Sequence, residues 1–328
     1  MAIYFNKAVG DGVPKIIFVY GNILQSFMRF NSDEHNSEIA NIHAVMKYIS
    51  KEYKLRGNIH DVAKNISKRL RNIDKGYESI IIDEAQDFNK DLIKFCANHT
   101  KNYLTVFADN AQKLFDHGIS DDVITGILKT DCKRDVTKKE ILENFRNQPV
   151  VAEFAKPFYL FNQKNQIFPS APQIGIREKV KVYNCKNYNP LKKGLVKQTL
   201  EYINSRESST PSVGILVQSE SRLNLLKQWF HEEGIISEKI TNIINFGTNN
   251  PIAMTMQSSK GLEFDYVIIA DLKYDQLKKD FPDNYKNIIF VAITRARRSL
   301  CVFLVDNSEN TEFLELISNT NCEIVELG

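Results

Sequence analysis

The chain has 328 residues, 43% hydrophobic and 25% charged, with a formal net charge of +3. That length suits two domains better than one, the composition excludes a disordered chain, and so mild a charge permits a nucleic-acid partner without demanding one. Five scattered cysteines with no CxxC pair argue against a zinc site or a disulfide framework, and no apolar run reaches transmembrane length.

The first predicted strand runs over residues 15–20, with Pro14 before it and Gly21-Asn22 after. Helical spacing of Ile23, Leu24, Phe27 and Met28 predicts a helix over 23–30, followed by a polar loop over 31–37. A second helix is expected over 38–53, where Ile39, Ile42, Val45, Met46 and Ile49 share a face, and a third over 59–73. Lys64, Lys68, Arg69 and Arg71 in that third helix read as a solvated face.

Residues 79–82, Ser-Ile-Ile-Ile, form the stretch around which the rest is organised. Three β-branched residues in a row suit a strand covered on both faces, and Asp83-Glu84 stand at its C-terminal end. In an open α/β sheet, ligands bind outside that end of the strands. After a helix of about ten residues from Lys90, a further apolar strand over 103–108 ends in Asp109 and, three residues on, Gln112. Strand, helix, strand, with polar groups at each C-terminal end, is the pattern of a parallel sheet.

The second half repeats the pattern. A helix over 119–129 and the Lys/Asp-rich stretch 130–139 lead to Glu143-Asn144-Phe145-Arg146. Asn147 is expected to cap a helix reaching 161, with Pro149 in its first turn. The segment 161–212 is richer in Asn, Lys and Pro and reads as the inter-domain region, with a strand over 179–183 and a helix over 190–206. Strands over 213–217, 252–257, 266–270 and 300–305 follow, with helices over 221–233 and 283–297. The latter helix is expected to end in Arg295-Ala296-Arg297-Arg298, where cations would complement its dipole.

Five segments in this order resemble the motifs of superfamily 1 DNA helicases of the UvrD/Rep/PcrA type. Asp83-Glu84-Ala85-Gln86-Asp87 resembles motif II, and Ala108-Asp109-Asn110-Ala111-Gln112 motif III. Glu143-Asn144-Phe145-Arg146 resembles motif IV. Residues 255–264, Thr-Met-Gln-Ser-Ser-Lys-Gly-Leu-Glu-Phe, resemble motif V, and Phe290-Val291-Ala292-Ile293-Thr294-Arg295-Ala296 motif VI. The resemblance implies an α/β fold of two RecA-like parallel-sheet domains of the P-loop NTPase type, expected over 1–145 and 146–328; the five scattered cysteines read as reduced thiols of a cytoplasmic protein. The resemblance also implies a helicase or translocase core that couples hydrolysis of ATP, with Mg²⁺, to movement on single-stranded DNA. Cores of this family serve in repair, recombination, plasmid maintenance and phage defence.

Residue by residue, the resemblance makes Asp83 the Mg²⁺ holder through water and Glu84 the residue that orients the attacking water. Gln112 senses the γ-phosphate, and Arg146 and Arg295 act as arginine fingers, a guanidinium matching phosphate oxygens bidentately. Glu263 contacts the nucleotide sugar, with Lys260 and Gly261 shaping its loop. His43, in a segment similar to the family's Thr-Phe-His stretch, and Thr255 face the nucleic acid.

The sequence departs from the family in one large respect: it holds no GxxxxGK(S/T) phosphate loop. Such a unit needs about 30 residues of strand, loop and helix, and 14 residues precede Lys15. The first domain is therefore expected to lack that unit. Three explanations stay open: a sequence trimmed ahead of residue 1, a catalytically inactive helicase-like module that binds DNA or a partner protein, or a split enzyme whose phosphate loop comes from another chain. That partner chain could equally carry a nuclease. Gln257 where the family has His, and Ala108 where it has Gly, are smaller departures. Short gaps where the family carries its 1B and 2B insertions describe a stripped-down core.

Overall fold

The computed structural model describes residues 15–19, 25, 37–52, 65, 77–114, 118–141, 143–159, 178–204, 212–235, 238–239, 250–305 and 310–328. The chain divides into two compact units, Met1–Lys139 and Glu140–Gly328. The helices expected over 23–30 and 59–73, apart from residues 25 and 65, and residues 161–177 and 205–211 of the inter-domain stretch lie outside the described residues.

The first unit holds β1 (Lys15–Val19), β2 (Ser37–Asn41), β3 (Tyr77–Ile82) and β4 (Thr100–Val106) in one sheet of order β2-β1-β3-β4. Every pairing is parallel, so all four C-terminal ends share one edge. Its helices are α1 (Ile42–Glu52), α2 (Lys90–Asn98) and α3 (Asp121–Gly126), the last continuing as a π-helical turn through Asp131. Ile80 and Ile82 pack with Phe88, Leu92, Ile93 and Cys96 into a single core. Ile81, on the opposite face, packs with Ile17, Val19 and Ile39. This two-sided burial is what a run of isoleucines predicts for a parallel strand.

The single helix expected over 38–53 is instead a strand followed by a helix, because β2 pairs with β1 in the register Ile17↔Ile39. Asn41 makes the junction: its side chain accepts hydrogen bonds from the backbone N–H of His43 (2.8 Å) and Ala44 (3.2 Å), capping α1.

Among the described residues, the second unit is built on seven parallel strands in the order β11-β5-β10-β9-β6-β8-β7. They are β5 (Val180–Cys185), β6 (Val213–Val217), β7 (Glu238–Lys239), β8 (Ile252–Thr255), β9 (Phe264–Leu272), β10 (Ala296–Val305) and β11 (Cys322–Leu327). The helices are α4 (Pro149–Ala155), α5 (Tyr188–Ile203), α6 (Glu220–Glu232), α7 (Tyr274–Asp280), α8 (Tyr285–Ile293) and α9 (Thr311–Ile317). Helix α8 stops earlier than expected: Arg295 lies in the turn after it, and Ala296 to Arg298 open β10. The cations therefore do not form a helix terminus.

Gly214 is required inside β6. A Cβ there would lie 2.5–2.8 Å from three ring atoms of Phe264, the first residue of β9.

Candidate active site

In the first unit, β3 ends against its neighbours. The Asp83 N–H donates to Phe18 O, and the Ala85 N–H donates to Phe107 O. Between them Glu84 takes φ 56°, ψ 42°, a left-handed conformation that a residue with a Cβ adopts only at a cost of about 1–2 kcal/mol. The carboxylate pair is thus held on a strained turn at the C-terminal edge of the sheet.

A chain of hydrogen bonds joins the two predicted motifs there. Gln86 Nε2 donates to Glu84 Oε2 at 2.5 Å, and Gln86 Oε1 accepts from the Asp109 N–H at 3.1 Å. Asp109 Oδ2 then accepts from Gln112 Nε2 at 2.7 Å, while its Oδ1 accepts from the Ala111 N–H. Glu84 and Gln112 therefore share one network. Asp83 adjoins it, accepting at Oδ1 from the Glu84 N–H. His43, just beyond β2, stands on the same sheet edge but two strand positions from β3.

In the second unit three motifs converge. The Asn147 side chain donates from Nδ2 to Thr294 O (3.0 Å) and Ala296 O (2.5 Å), the carbonyls on either side of Arg295. Asn144 Oδ1 accepts from the backbone N–H of Arg146 and of Asn147. The position of Asn147 before Pro149 predicts it as the cap of α4. Instead Gln148 occupies that position without a side-chain bond, and Asn147 clasps motif IV to motif VI. Arg146 Nε donates to Glu263 Oε1 at 2.6 Å, tying motif IV to motif V.

Arg295 is wholly buried. Its Nε donates to Val291 O, Nη1 to Leu262 O and Nη2 to Thr294 Oγ1, and its own carbonyl accepts from the Phe264 N–H. Thr255 Oγ1 donates to Ser258 Oγ and accepts from the Ser258 N–H. Gly261 sits at φ 79° in the loop that carries Lys260 and Glu263, a conformation suited to glycine.

Sequence reasoning missed Gln86, Asn144 and Asn147 as organisers of the site, and Phe145, which is 74% exposed beside Arg146. The available signal was polarity: Gln86 and Asn144 are uncharged amides inside motifs whose neighbours are apolar or charged, and Asn147 directly follows one. Among the described residues no cluster of three or more His, Cys, Asp or Glu could hold a metal ion, and no helix is long and apolar enough to cross a membrane.

The fold is that of RecA-like helicase domains. Saccharomyces cerevisiae Dbp5 bound to RNA and ADP BeF3 superposes over 99% of this chain and 81% of its own, with TM-score 0.53 and 12% identity. The L327V form of the same protein, also bound to RNA and ADP BeF3, gives TM-score 0.51 at 12% identity over 96% of this chain and 78% of its own. The C-terminal domain of a possible DNA helicase from Lactobacillus plantarum WCFS1 covers 49% of this chain and 88% of its own, at 18% identity and TM-score 0.38. Within the sequence, residues 252–303 match the model of the UvrD-like helicase C-terminal domain. That span contains Thr255, Lys260, Gly261, Glu263 and Arg295. No curated protein matches.

Proposed function

We propose that the chain is the core of a UvrD-like superfamily 1 helicase or translocase, which couples ATP hydrolysis to movement on single-stranded DNA once a phosphate loop is supplied. The observation that carries this reading is the network from Glu84 through Gln86 and Asp109 to Gln112, at the C-terminal ends of adjacent parallel strands. Phosphoryl transfer depends on positioning and on neutralising charge, and such linked groups serve both ends. The match over residues 252–303 and the convergence of Arg146, Glu263 and the Arg295 turn support it.

The donor set suits Mg²⁺, which keeps most of its waters and takes one or two carboxylates rather than a full protein cage. Asp83 is the residue that would hold it. When bound, the ion neutralises charge on the phosphates. Glu84 orients the attacking water and Gln112 meets the γ-phosphate. Arg146 supplies a guanidinium and Phe145 an aromatic face for a base. Arg295 joins only if its turn opens, since all three of its nitrogens already bond within the unit. His43 and Thr255 are assigned to the nucleic-acid strand.

The absence of GxxxxGK(S/T) from the 328 residues favours a second reading, a helicase-like module without hydrolysis that binds DNA or a partner protein. Calorimetry of the chain with Mg²⁺-ATP, with and without single-stranded DNA, separates the two. Micromolar ATP binding, with hydrolysis abolished by Glu84→Gln, supports the first. DNA binding without ATP binding, unchanged when a phosphate-loop partner is added, establishes the second.

A further inference from the structure

Gln86 is the residue the functional reading leaves without a role, yet it is fully buried and lies at the centre of the network. Its backbone carbonyl accepts from the Ile119 N–H at 3.1 Å, which fixes the residue from behind. Its amide then works in two directions at once, donating to Glu84 Oε2 and accepting from the Asp109 N–H. Glutamine is the side chain of this length that carries a donor and an acceptor on one planar group. Glutamate in its place would oppose two carboxylates; methionine would fill the volume and make neither bond.

We propose that Gln86 is a positioning residue, the strut that holds the Glu84 carboxylate and the Asp109–Gln112 turn at a fixed separation so that both address one ligand. The inference rests on the reading above for what that ligand is, a nucleoside triphosphate. The strut itself is defined by the geometry. Glu84 occupies a left-handed backbone conformation, and such strained positions persist where the surroundings over-determine them. The bond from Gln86 is one such determinant, and it selects the orientation of the carboxylate as well as of the backbone. Through Asp109, which holds Gln112 Nε2 at 2.7 Å, the constraint passes from β3 to β4. The amide adds a side-chain link between the two groups to the backbone bond from Ala85 N–H to Phe107 O that ties the strand ends.

Two measurements made without nucleotide test the strut. The first is amide hydrogen exchange by NMR. Gln86→Met should speed exchange of the Asp109 amide at least tenfold while the Phe107 amide, bonded to Ile82 O, keeps its wild-type rate. A side chain that merely filled space would leave Asp109 protected. The second exchanges donor and acceptor. Gln86→Glu should lower the melting temperature by several degrees, and the double variant Glu84→Gln/Gln86→Glu should recover most of that loss, because the bond re-forms with its roles reversed.

Asp109 exchange within twofold of wild type in Gln86→Met overturns the proposal. So does a double variant no more stable than Gln86→Glu alone, and this second measurement decides the matter if Gln86→Met does not fold. Failure to bind ATP counts against the proposed function and leaves these readouts intact.

Discussion

Two arginines that the sequence puts forward for the same task sit in opposite environments. Arg146 is about a third exposed and makes its ion pair with Glu263 near solvent, where such a pair contributes about 0.2–1 kcal/mol. Arg295 is buried and serves two backbone carbonyls and a threonine hydroxyl. Removing it takes the side-chain donor from the Leu262 carbonyl, at about 1–3 kcal/mol, and empties the buried volume the side chain fills. Arg146→Ala should therefore shift the unfolding free energy of the second unit by less than about 1 kcal/mol, and Arg295→Ala should cost about 3 kcal/mol or more. Urea denaturation of both variants checks the order, and equal losses would show that Arg295 is not the structural member of the two. The motif pattern identified both residues. It could not separate them, because burial of a guanidinium depends on the Leu262 carbonyl, 33 positions away in the chain.

At the scale of elements, α2 ends on a titratable contact. His99 follows the helix, its ring 4.2 Å from that of Phe95 and its Nδ1 2.8 Å from Phe95 O. Burial holds its pKa below the ordinary value, with the Phe95 hydrogen bond opposing. In the unfolded chain the imidazole takes up a proton near pH 6.5. Below that pH the unfolded state binds more protons than the folded one, so stability is full above about 6.5 and falls as the pH drops toward the lower folded value. Urea midpoints at pH 7.5 and 5.5 should show this loss in wild type, and His99→Gln should reduce it. Gly214→Ala forces a Cβ into the Phe264 ring, and overpacking of this kind costs about 1–3 kcal/mol; differential scanning calorimetry should show a lower melting temperature for that variant.

The elements differ in how far they could be read from the chain. Strands β3, β6 and β9 were legible because parallel strands buried on both faces are written as uninterrupted apolar runs. The end of α8 was not, since the apolar run of 288–293 passes directly into β10 and only the Arg295 turn, fixed by tertiary bonds, divides them. For the same reason β2 hid within a helical pattern: Ile39 fits a helix face as well as a strand, and pairing with Ile17 decides between them.

For the molecule as a whole, the motifs were visible as a sequence order, while the bonds that fasten motif IV to motifs V and VI were not, since they act across long spans of chain. Asn147 reaches 147 residues ahead to Thr294, and Arg146 reaches 117 to Glu263. All these fastenings lie inside the second unit, which carries its own seven-stranded sheet and its own core, from Leu191 and Leu195 of α5 to Phe230 of α6 and Phe303 of β10. A unit that contains both its core and the bonds of its site should fold alone. Residues 140–328 expressed separately should unfold in one cooperative urea transition. Gly214→Ala should move its midpoint, because both partners of that clash lie within the unit. Asn147→Ala should move it too, by the 1–3 kcal/mol typical of buried groups left unpaired. A gradual, non-cooperative loss of ellipticity would mean that the second unit depends on the first for its core. A cooperative transition unmoved by Asn147→Ala would leave the core in place and remove the clasp between motifs IV and VI as a source of its stability.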